Sequence, residues 1–177
     1  MSELLQALRA FDGKDTSQLS ELRARFGDSA GFLGDLATHV GAPEGSVSDG
    51  ATWLIKDCAE AGMCPGPSET PAILARLDAV TSWQSALHLC QTAAFFAFST
   101  AEARQFADWA SRFLDHKRPF LRAWSMSALQ EAAAQAPELR PRAVAALARA
   151  EADASASVRA RARKVRAARD TSARART

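Results

Sequence analysis

Apolar residues recur at positions i, i+3, i+4 and i+7 along almost the whole chain, which is the spacing of a helix with one buried face. In the first 71 residues glycine or proline interrupts this pattern at short intervals, and these residues commonly end and begin helices. The pattern therefore predicts about ten short amphipathic helices joined by tight turns.

The composition excludes most alternatives to an all-α fold. The 177 residues include 40 alanines and 18 arginines, whereas valine, isoleucine and threonine together number only 17. Alanine, leucine and arginine favour helices, and strands favour β-branched and aromatic residues. A β-rich fold is thus nearly excluded, and a mononucleotide-binding βαβ fold is disfavoured.

Capping residues and prolines indicate where the later helices begin. A hydroxyl side chain can accept a hydrogen bond from the first turn, and proline is favoured at the first helical position. The predicted starts are Thr70 with Pro71, the capping boxes Thr81 with Gln84 and Ser99 with Glu102, the prolines Pro119 and Pro137, and a last start near Ser155.

The second helices of successive pairs begin at nearly constant intervals. Val47, Trp83, Leu121 and Val158 stand 36, 38 and 37 residues apart, and apolar or small residues recur four and seven positions after each. This spacing indicates a repeated helical hairpin of about 37 residues. One hairpin cannot bury its apolar face alone, whereas a stacked neighbour can cover it.

In the last two repeats an aspartate ends the first helix, and an apolar residue followed by arginine opens the second. The residues are Asp115 before Leu121 and Arg122, and Asp153 before Val158 and Arg159. This pattern resembles the HEAT-repeat family, whose hairpins stack into an armadillo-type superhelix. The resemblance covers about the last 110 residues, and the preceding repeat departs from it by having Gln84 in place of the arginine.

The resemblance implies a right-handed α-α superhelix, a short solenoid of about five helical hairpins. It implies one domain over residues 1–170, followed by a basic tail over residues 171–177 that we expect to be disordered. It also implies that Asp115, Arg122, Asp153 and Arg159 hydrogen-bond within and between hairpins.

Basic residues are concentrated at the end of the chain. Residues 158–177 carry a net charge of +7, and residues 1–157 carry −5. A basic arm can neutralise phosphates, but it also suits the negative end of a helix dipole and a solvated terminus. We take five residues here as candidate contacts for a protein or nucleic-acid partner: Arg159, Arg161, Arg163, Lys164 and Arg166.

A second group of candidates surrounds the turn before Leu121. His116, Lys117 and Arg118 form a polar turn beside a predicted helix N-terminus, which can hold an anion or simply be a solvated link. Arg122 follows in the next helix and completes this group.

The four tryptophans divide into two pairs by their place on the predicted helices. Trp83 and Trp124 fall on predicted buried faces, whereas Trp53 and Trp109 lie one position away from theirs. An exposed tryptophan can stack on a base or on a peptide side chain. A place in the core is the favoured interpretation for these tryptophans, and Trp109 is kept as a further candidate contact.

The sequence contains no glycine-rich phosphate loop, nucleophile elbow or HExxH motif. Cys58 and Cys64 have the spacing C-x5-C with no second pair, which is a poor zinc pattern. Cys58 and Cys90 instead fall on predicted core positions. We therefore expect no catalytic residue, metal site or cofactor.

The chain also lacks features of a secreted or membrane protein. Its first residues have no basic segment before an apolar run, and the longest uninterrupted apolar stretch, residues 93–98, has six residues. The odd number of cysteines fits a reducing compartment. We expect a cytoplasmic protein, and the heavy use of alanine and arginine indicates a GC-rich bacterial genome.

Two functions remain open. The first is a non-enzymatic scaffold that presents a concave helical surface to a protein partner. The second is a nucleic-acid-binding HEAT-like protein, for which the resemblance suggests a relation to alkylpurine DNA glycosylases. A mixed or apolar groove would favour the protein partner, and a continuous basic groove would favour nucleic acid.

Overall fold

Ten α-helices and three short 3-10 helices form the regular structure of residues 2–174. The computed structural model describes the backbone of residues 2–174 and the side chains of residues 2–171. The α-helices are α1 (Glu3–Ala10), α2 (Thr16–Phe26), α3 (Phe32–His39), α4 (Gly45–Glu60), α5 (Glu69–Leu74), α6 (Trp83–Thr92), α7 (Thr100–Ser111), α8 (Pro119–Gln135), α9 (Arg140–Glu151) and α10 (Ala156–Arg174). Residues 2–174 contain no strand, so the all-α expectation is confirmed.

Two predicted helix starts are present as predicted. Ser99 and Glu102 form a capping box at α7, in which the Glu102 backbone N–H donates to Ser99 Oγ (3.3 Å) and the Ser99 N–H donates to Glu102 Oε2 (2.7 Å). Pro119 is the first residue of α8. Its missing N–H is no loss there, because that position has no intrahelical acceptor.

The two helix starts predicted at Thr70 with Pro71 and at Pro137 are wrong by a few residues. Thr70 does not cap α5: the helix begins at Glu69 after Ser68, and Thr70 lies inside it with 1% of its surface exposed. Pro137 opens a 3-10 helix, and α9 follows only from Arg140. Proline fixes its own φ angle, but it does not decide whether the next turn is 3-10 or α.

The start of α6 is displaced by one residue from its prediction. Ser82, not Thr81, accepts the hydrogen bond from the backbone N–H of Gln84 (3.1 Å). Thr81 and Ser82 are adjacent, and the hydroxyl of either residue can cap this helix. The sequence spacing alone therefore does not decide which of them is the cap.

The last helix agrees with its predicted start and extends further than expected. α10 begins at Ala156, next to Ser155, and continues through Arg174. The backbone of residues 171–174, which we expected to be the start of a disordered tail, is therefore helical. Residues 175–177 of that tail lie outside the described residues.

The helices group into two compact units, residues 1–97 (unit 1) and residues 98–177 (unit 2). Their charges differ in sign: unit 1 has a net charge of −6 and unit 2 has +8. The excess of basic residues thus belongs to unit 2.

In unit 1, α4 is the central helix. It packs against α1, α2, α3 and α6, and α3 also packs against α5. Cys58 on α4 and Cys90 on α6 are 1% and 2% exposed, which confirms them as core residues. Burial raises the pKa of the Cys58 thiol to about 11.

Hydroxyl side chains join α4 to α6. Ser48 Oγ lies 2.8 Å from Ser85 Oγ, and the hydroxyl and backbone N–H of Ser85 donate to Asp49 Oδ1 at 2.7 and 3.1 Å. Asp49 thereby caps the N-terminus of α6 from a neighbouring helix. Thr52 Oγ1 lies 3.1 Å from His88 Nδ1. Burial lowers the pKa of His88 to about 4, so its ring is neutral at pH 7.

Unit 2 consists of α7 to α10. α8 packs against α7, α9 and α10, and α9 packs against α10. A row of aromatic rings fills its first part: the ring centroids of Phe98 and Phe106 are 5.1 Å apart, those of Phe106 and Trp109 are 5.6 Å apart, and those of Trp109 and Phe113 are 5.0 Å apart. This spacing is that of favourable aromatic pairs.

Alternate helices of unit 2 run parallel. Ion pairs join α7 and the turn after it to α9 and the 3-10 helix before it at a constant offset of 34 residues: Arg104 with Glu138, Asp108 with Arg142, and Asp115 with Arg149. Trp124 of α8 contacts Arg161 of α10, and Gln130, further along α8, contacts Arg169, further along α10. These two helices therefore also run in the same direction. In unit 1, α4 and α6 are joined at offsets of 36 and 37 residues.

Candidate partner-binding cleft

The C-terminal part of α8, the start of α9 and the middle of α10 enclose a cleft of about 710 Å³ in unit 2, here called the α8–α10 cleft. Its cationic side chains are Arg140, Arg161, Lys164 and Arg169. Its apolar side chains are all small: Ala133, Ala134, Ala143, Val165 and Ala168. Glu131 and Gln130 complete the lining. The cleft is thus neither uniformly basic nor uniformly apolar.

The α10 wall of the cleft follows directly from helical geometry. Arg161, Lys164, Val165, Ala168 and Arg169 occupy positions i, i+3, i+4, i+7 and i+8, which share one face of a helix. One face of α10 therefore combines three cations with two apolar side chains.

Arg161 is held in place by contacts with α8. Its guanidinium carbon lies 3.6 Å from the ring centroid of Trp124, and its Nε donates to Ser127 Oγ at 2.8 Å. A stacked cation of this kind is attracted to the electron-rich ring face. Trp124 is consequently covered by a cation of its own chain, and it is half-buried rather than buried as we predicted.

The other cations of the cleft lack a carboxylate partner among the described residues. Arg140 and Lys164 take part in no ion pair within that range, and Arg169 Nη1 donates only to the neutral Gln130 Oε1, at 3.3 Å. Glu131 lies near Arg161, which favours its charged form, but burial is the larger influence and raises the pKa of Glu131. The cleft therefore has an excess of positive charge.

A second, smaller cleft of about 260 Å³ lies where the α7–α8 turn meets the α9–α10 turn. It brings together three of the predicted residues, His116, Lys117 and Arg122, with Asp153. Arg122 donates to both carboxylate oxygens of Asp153, at 2.9 and 2.8 Å, and to the backbone oxygen of His116 at 2.8 Å. Burial and the neighbouring Lys117 lower the pKa of His116. Arg122 is thus already neutralised, and its contacts join two hairpins.

The Arg122–Asp153 pair makes a testable contribution to stability. Only 18% and 16% of these side chains are exposed, so Asp153→Asn is expected to lower the free energy of unfolding by about 2 kcal/mol at pH 7. Hydrogen bonding to Arg122 lowers the pKa of Asp153 below its usual 3.8. This contribution is therefore complete above pH 4 and is lost as the pH falls through the lowered pKa.

Chemical denaturation at pH 7 and at several values below pH 4 measures this difference between wild type and variant. The matched control is Asp108→Asn, which removes a more exposed ion pair with Arg142 and should cost less than about 1 kcal/mol. Equal losses in both variants, or a difference that does not shrink in acid, would show that Asp153 is not a stabilising partner of Arg122.

The remaining predicted residues are dispersed. Trp109 is 2% exposed and lies between Phe106 and Phe113, so it is a core residue and not a surface contact. Arg159 donates to the backbone oxygens of Asp153 and Ala154, at 2.6 and 2.9 Å.

Arg166 is also neutralised within the chain, by a bidentate ion pair with Glu151. Arg163 and Arg118 are exposed outside the α8–α10 cleft, and His116 Nδ1 accepts a hydrogen bond from the Arg118 backbone N–H at 3.2 Å. Of the ten candidates, only Arg161 and Lys164 therefore line the larger cleft.

Sequence reasoning missed Arg140 and Glu131, and it did not select Arg169 or Trp124 as contacts. The signal for Arg169 was present, because it lies eight residues after Arg161 and on the same helical face. Arg140 and Glu131 come from other helices, and only the packing of α8 and α9 against α10 brings them to the cleft.

Neither a membrane-crossing helix nor a metal-binding cluster is found in the described part of the chain. Its helices all lack either the length or the apolar character needed to cross a membrane. No three of its histidine, cysteine, aspartate and glutamate side chains come together to hold a metal ion.

Comparison with known proteins finds no matching family model, no matching curated protein and no matching solved structure.

Proposed function

We propose that this protein is a non-enzymatic binding module that holds a protein partner in the α8–α10 cleft. The observation that carries the proposal is the mixed lining of the cleft, in which small apolar side chains lie among cations without carboxylate partners. Burial of apolar surface supplies affinity, and charged groups around it orient the partner. A polypeptide offers both kinds of group within a few residues.

We also propose that the hairpins are HEAT-like repeats of a right-handed superhelix of about five hairpins. Two observations support this proposal. Alternate helices within each unit are parallel, with contacts at offsets of 34 to 39 residues. Arg122 of one hairpin also binds Asp153 of the next, a contact of the kind that the HEAT resemblance implies.

Nucleic-acid binding is the second candidate, and the net charge of +8 on unit 2 favours it. Three features of unit 2 disfavour it. Glu131 places a carboxyl group in the wall of the cleft, Trp109 is buried, and Trp124 is covered by Arg161. Neither tryptophan is thus free to stack on a base.

Site-specific photo-crosslinking tests the proposed function. A benzophenone amino acid is introduced at Ala134, an exposed residue that lines the cleft, and, as a matched control, at Val144, which is 49% exposed on α9 outside the cleft. Each full-length protein is irradiated in a nuclease-treated bacterial lysate, with and without excess unlabelled protein.

We expect protein adducts from position 134 that the unlabelled protein competes away, and few from position 144. Adducts of equal yield from both positions, or none from either, would contradict binding in the cleft. Adducts that form only in untreated lysate and contain nucleic acid would replace this function with the second candidate.

A further inference from the structure

Within the described residues, several arginines of unit 2 are each paired with a carboxylate, whereas three cations of the α8–α10 cleft are not. On α9, Arg142 and Arg149 are paired with carboxylates of α7 and its following turn, and Arg166 on the outer part of α10 is paired with Glu151. Arg140, Lys164 and Arg169 have no such partner among the described residues. Three cations without a carboxylate partner therefore share this one cleft.

The apolar side chains of this cleft are small. Four of the five are alanines and the fifth is Val165, so the helix backbones that carry them lie close to any occupant. Helices approach one another most closely where the contact residues are small. An occupant that presents larger apolar side chains, such as leucine, would fill the space that these alanines leave.

The three cations of the cleft without a carboxylate partner lie at separate positions around its apolar side chains. Lys164 and Arg169 are five residues apart on α10, which is about 7.5 Å along a helix axis, and Arg140 projects from the start of α9. Carboxylates one turn apart on a bound helix, at about 5.4 Å and on flexible side chains, can reach such points. Duplex nucleic acid instead presents a charge about every 1.7 Å, and Glu131 would repel part of that continuous charge.

We propose that the α8–α10 cleft binds an amphipathic helix of the partner whose polar edge carries aspartate or glutamate, with Arg140, Lys164 and Arg169 binding those carboxylates. This inference rests on the proposed function and adds the chemistry of the occupant. In this kind of peptide recognition the helix places its apolar face in a groove. Charge complementarity then decides which helices bind.

Fluorescence anisotropy with the full-length protein and synthetic peptides tests this inference. The first peptide is a helix of about 20 residues, long enough to form in isolation, with a leucine stripe and flanking glutamates at i and i+4. The second replaces every glutamate by glutamine, and the third scrambles the order so that the charge stays but the stripe is lost.

We expect the first peptide to bind roughly ten times more tightly than either control, because it alone satisfies both the cations and the apolar surface. A glutamine peptide that binds equally well would show that charge does not matter. A scrambled peptide that binds equally well would show that the amphipathic helix does not matter. Either result overturns the inference.

Two neighbouring residues of α10 provide a matched pair of variants. Lys164 lines the cleft and Arg163 does not, although both are exposed and both changes to glutamate alter the net charge equally. Lys164→Glu is expected to weaken binding of the first peptide roughly tenfold, and Arg163→Glu by less than about twofold. Equal effects of the two variants would show that the peptide is held by general charge attraction. That result would overturn the proposal that the peptide binds in the cleft.

Other occupants are distinguished with the same two variants. A duplex of about 20 base pairs that binds more tightly than the acidic peptide, and is lost in Lys164→Glu alone, would assign the cleft to nucleic acid. A dimer in sedimentation velocity that only Lys164→Glu disrupts would assign it to a second copy of this chain. Both results overturn the inference.

The outcome also separates this inference from the proposed function. If position 134 crosslinks to protein but the acidic peptide does not bind, the protein-binding function stands and the chemistry of the occupant is wrong. If neither occurs, both proposals fail.

Discussion

Replacing Phe106 by alanine is expected to lower the free energy of unfolding by about 3–5 kcal/mol. Phe106 is fully buried in unit 2, and its ring lies 5.1 Å from that of Phe98 and 5.6 Å from that of Trp109. The substitution removes a buried ring and two aromatic contacts, and the surrounding helices can close the resulting cavity only in part.

Urea denaturation followed by circular dichroism measures this loss. Phe120→Ala is the matched control, because the same ring is removed from a side chain of unit 2 that is 61% exposed, and it should change stability by less than about 0.5 kcal/mol. A loss of only 1 kcal/mol or so in Phe106→Ala would mean that the aromatic row is loosely packed.

Gly41→Ala is expected to destabilise unit 1 by about 2–4 kcal/mol. Gly41 has a φ angle of +69°, which is unfavourable for any residue with a Cβ. An added Cβ would also lie 2.7 Å from Ala79 Cβ and 3.1 Å from the backbone oxygen of Arg76. Backbone atoms and a Cβ cannot swing away as the end of a long side chain can, so the loop between α3 and α4 would have to move.

Gly13→Ala separates the two causes of this loss. Gly13 has a similar φ angle of +78°, but an added Cβ there meets no atom within 4 Å. This control should lose only the conformational part, about 1 kcal/mol. Thermal and urea unfolding of both variants gives the difference, which measures the steric cost at Gly41. Equal losses would mean that the turn against Ala79 relaxes freely.

The fold was largely predictable because its signals are local. The period of the apolar residues and the capping chemistry at Ser99 and Pro119 act within one or two helical turns, and α7 and α8 begin where these signals indicate. The errors are local as well. Ser82 replaces Thr81 as the cap of α6 because two adjacent hydroxyls offer nearly the same hydrogen bond.

The candidate site was predictable only in part. Arg161 and Lys164 line the cleft as the basic character of the last helix suggested, but Arg166 of the same helix is neutralised by Glu151. The tryptophans show the same limit. Trp109, kept as a candidate contact although a core place was favoured, is buried between two phenylalanines, and Trp124, expected in the core, is half-buried beneath Arg161.

From the amino-acid order alone follow the all-α class, the approximate limits of ten helices and the interval of about 37 residues between hairpins. These properties depend on residues three or four positions apart, whose relation every helix imposes in the same way. Which arginines are neutralised and which remain available depends instead on carboxylates 15 to 34 residues away, such as Glu151 for Arg166 and Asp115 for Arg149. Only the packing of one helix on another brings those groups within bonding distance, and so only the tertiary structure decides where positive charge is left for a partner.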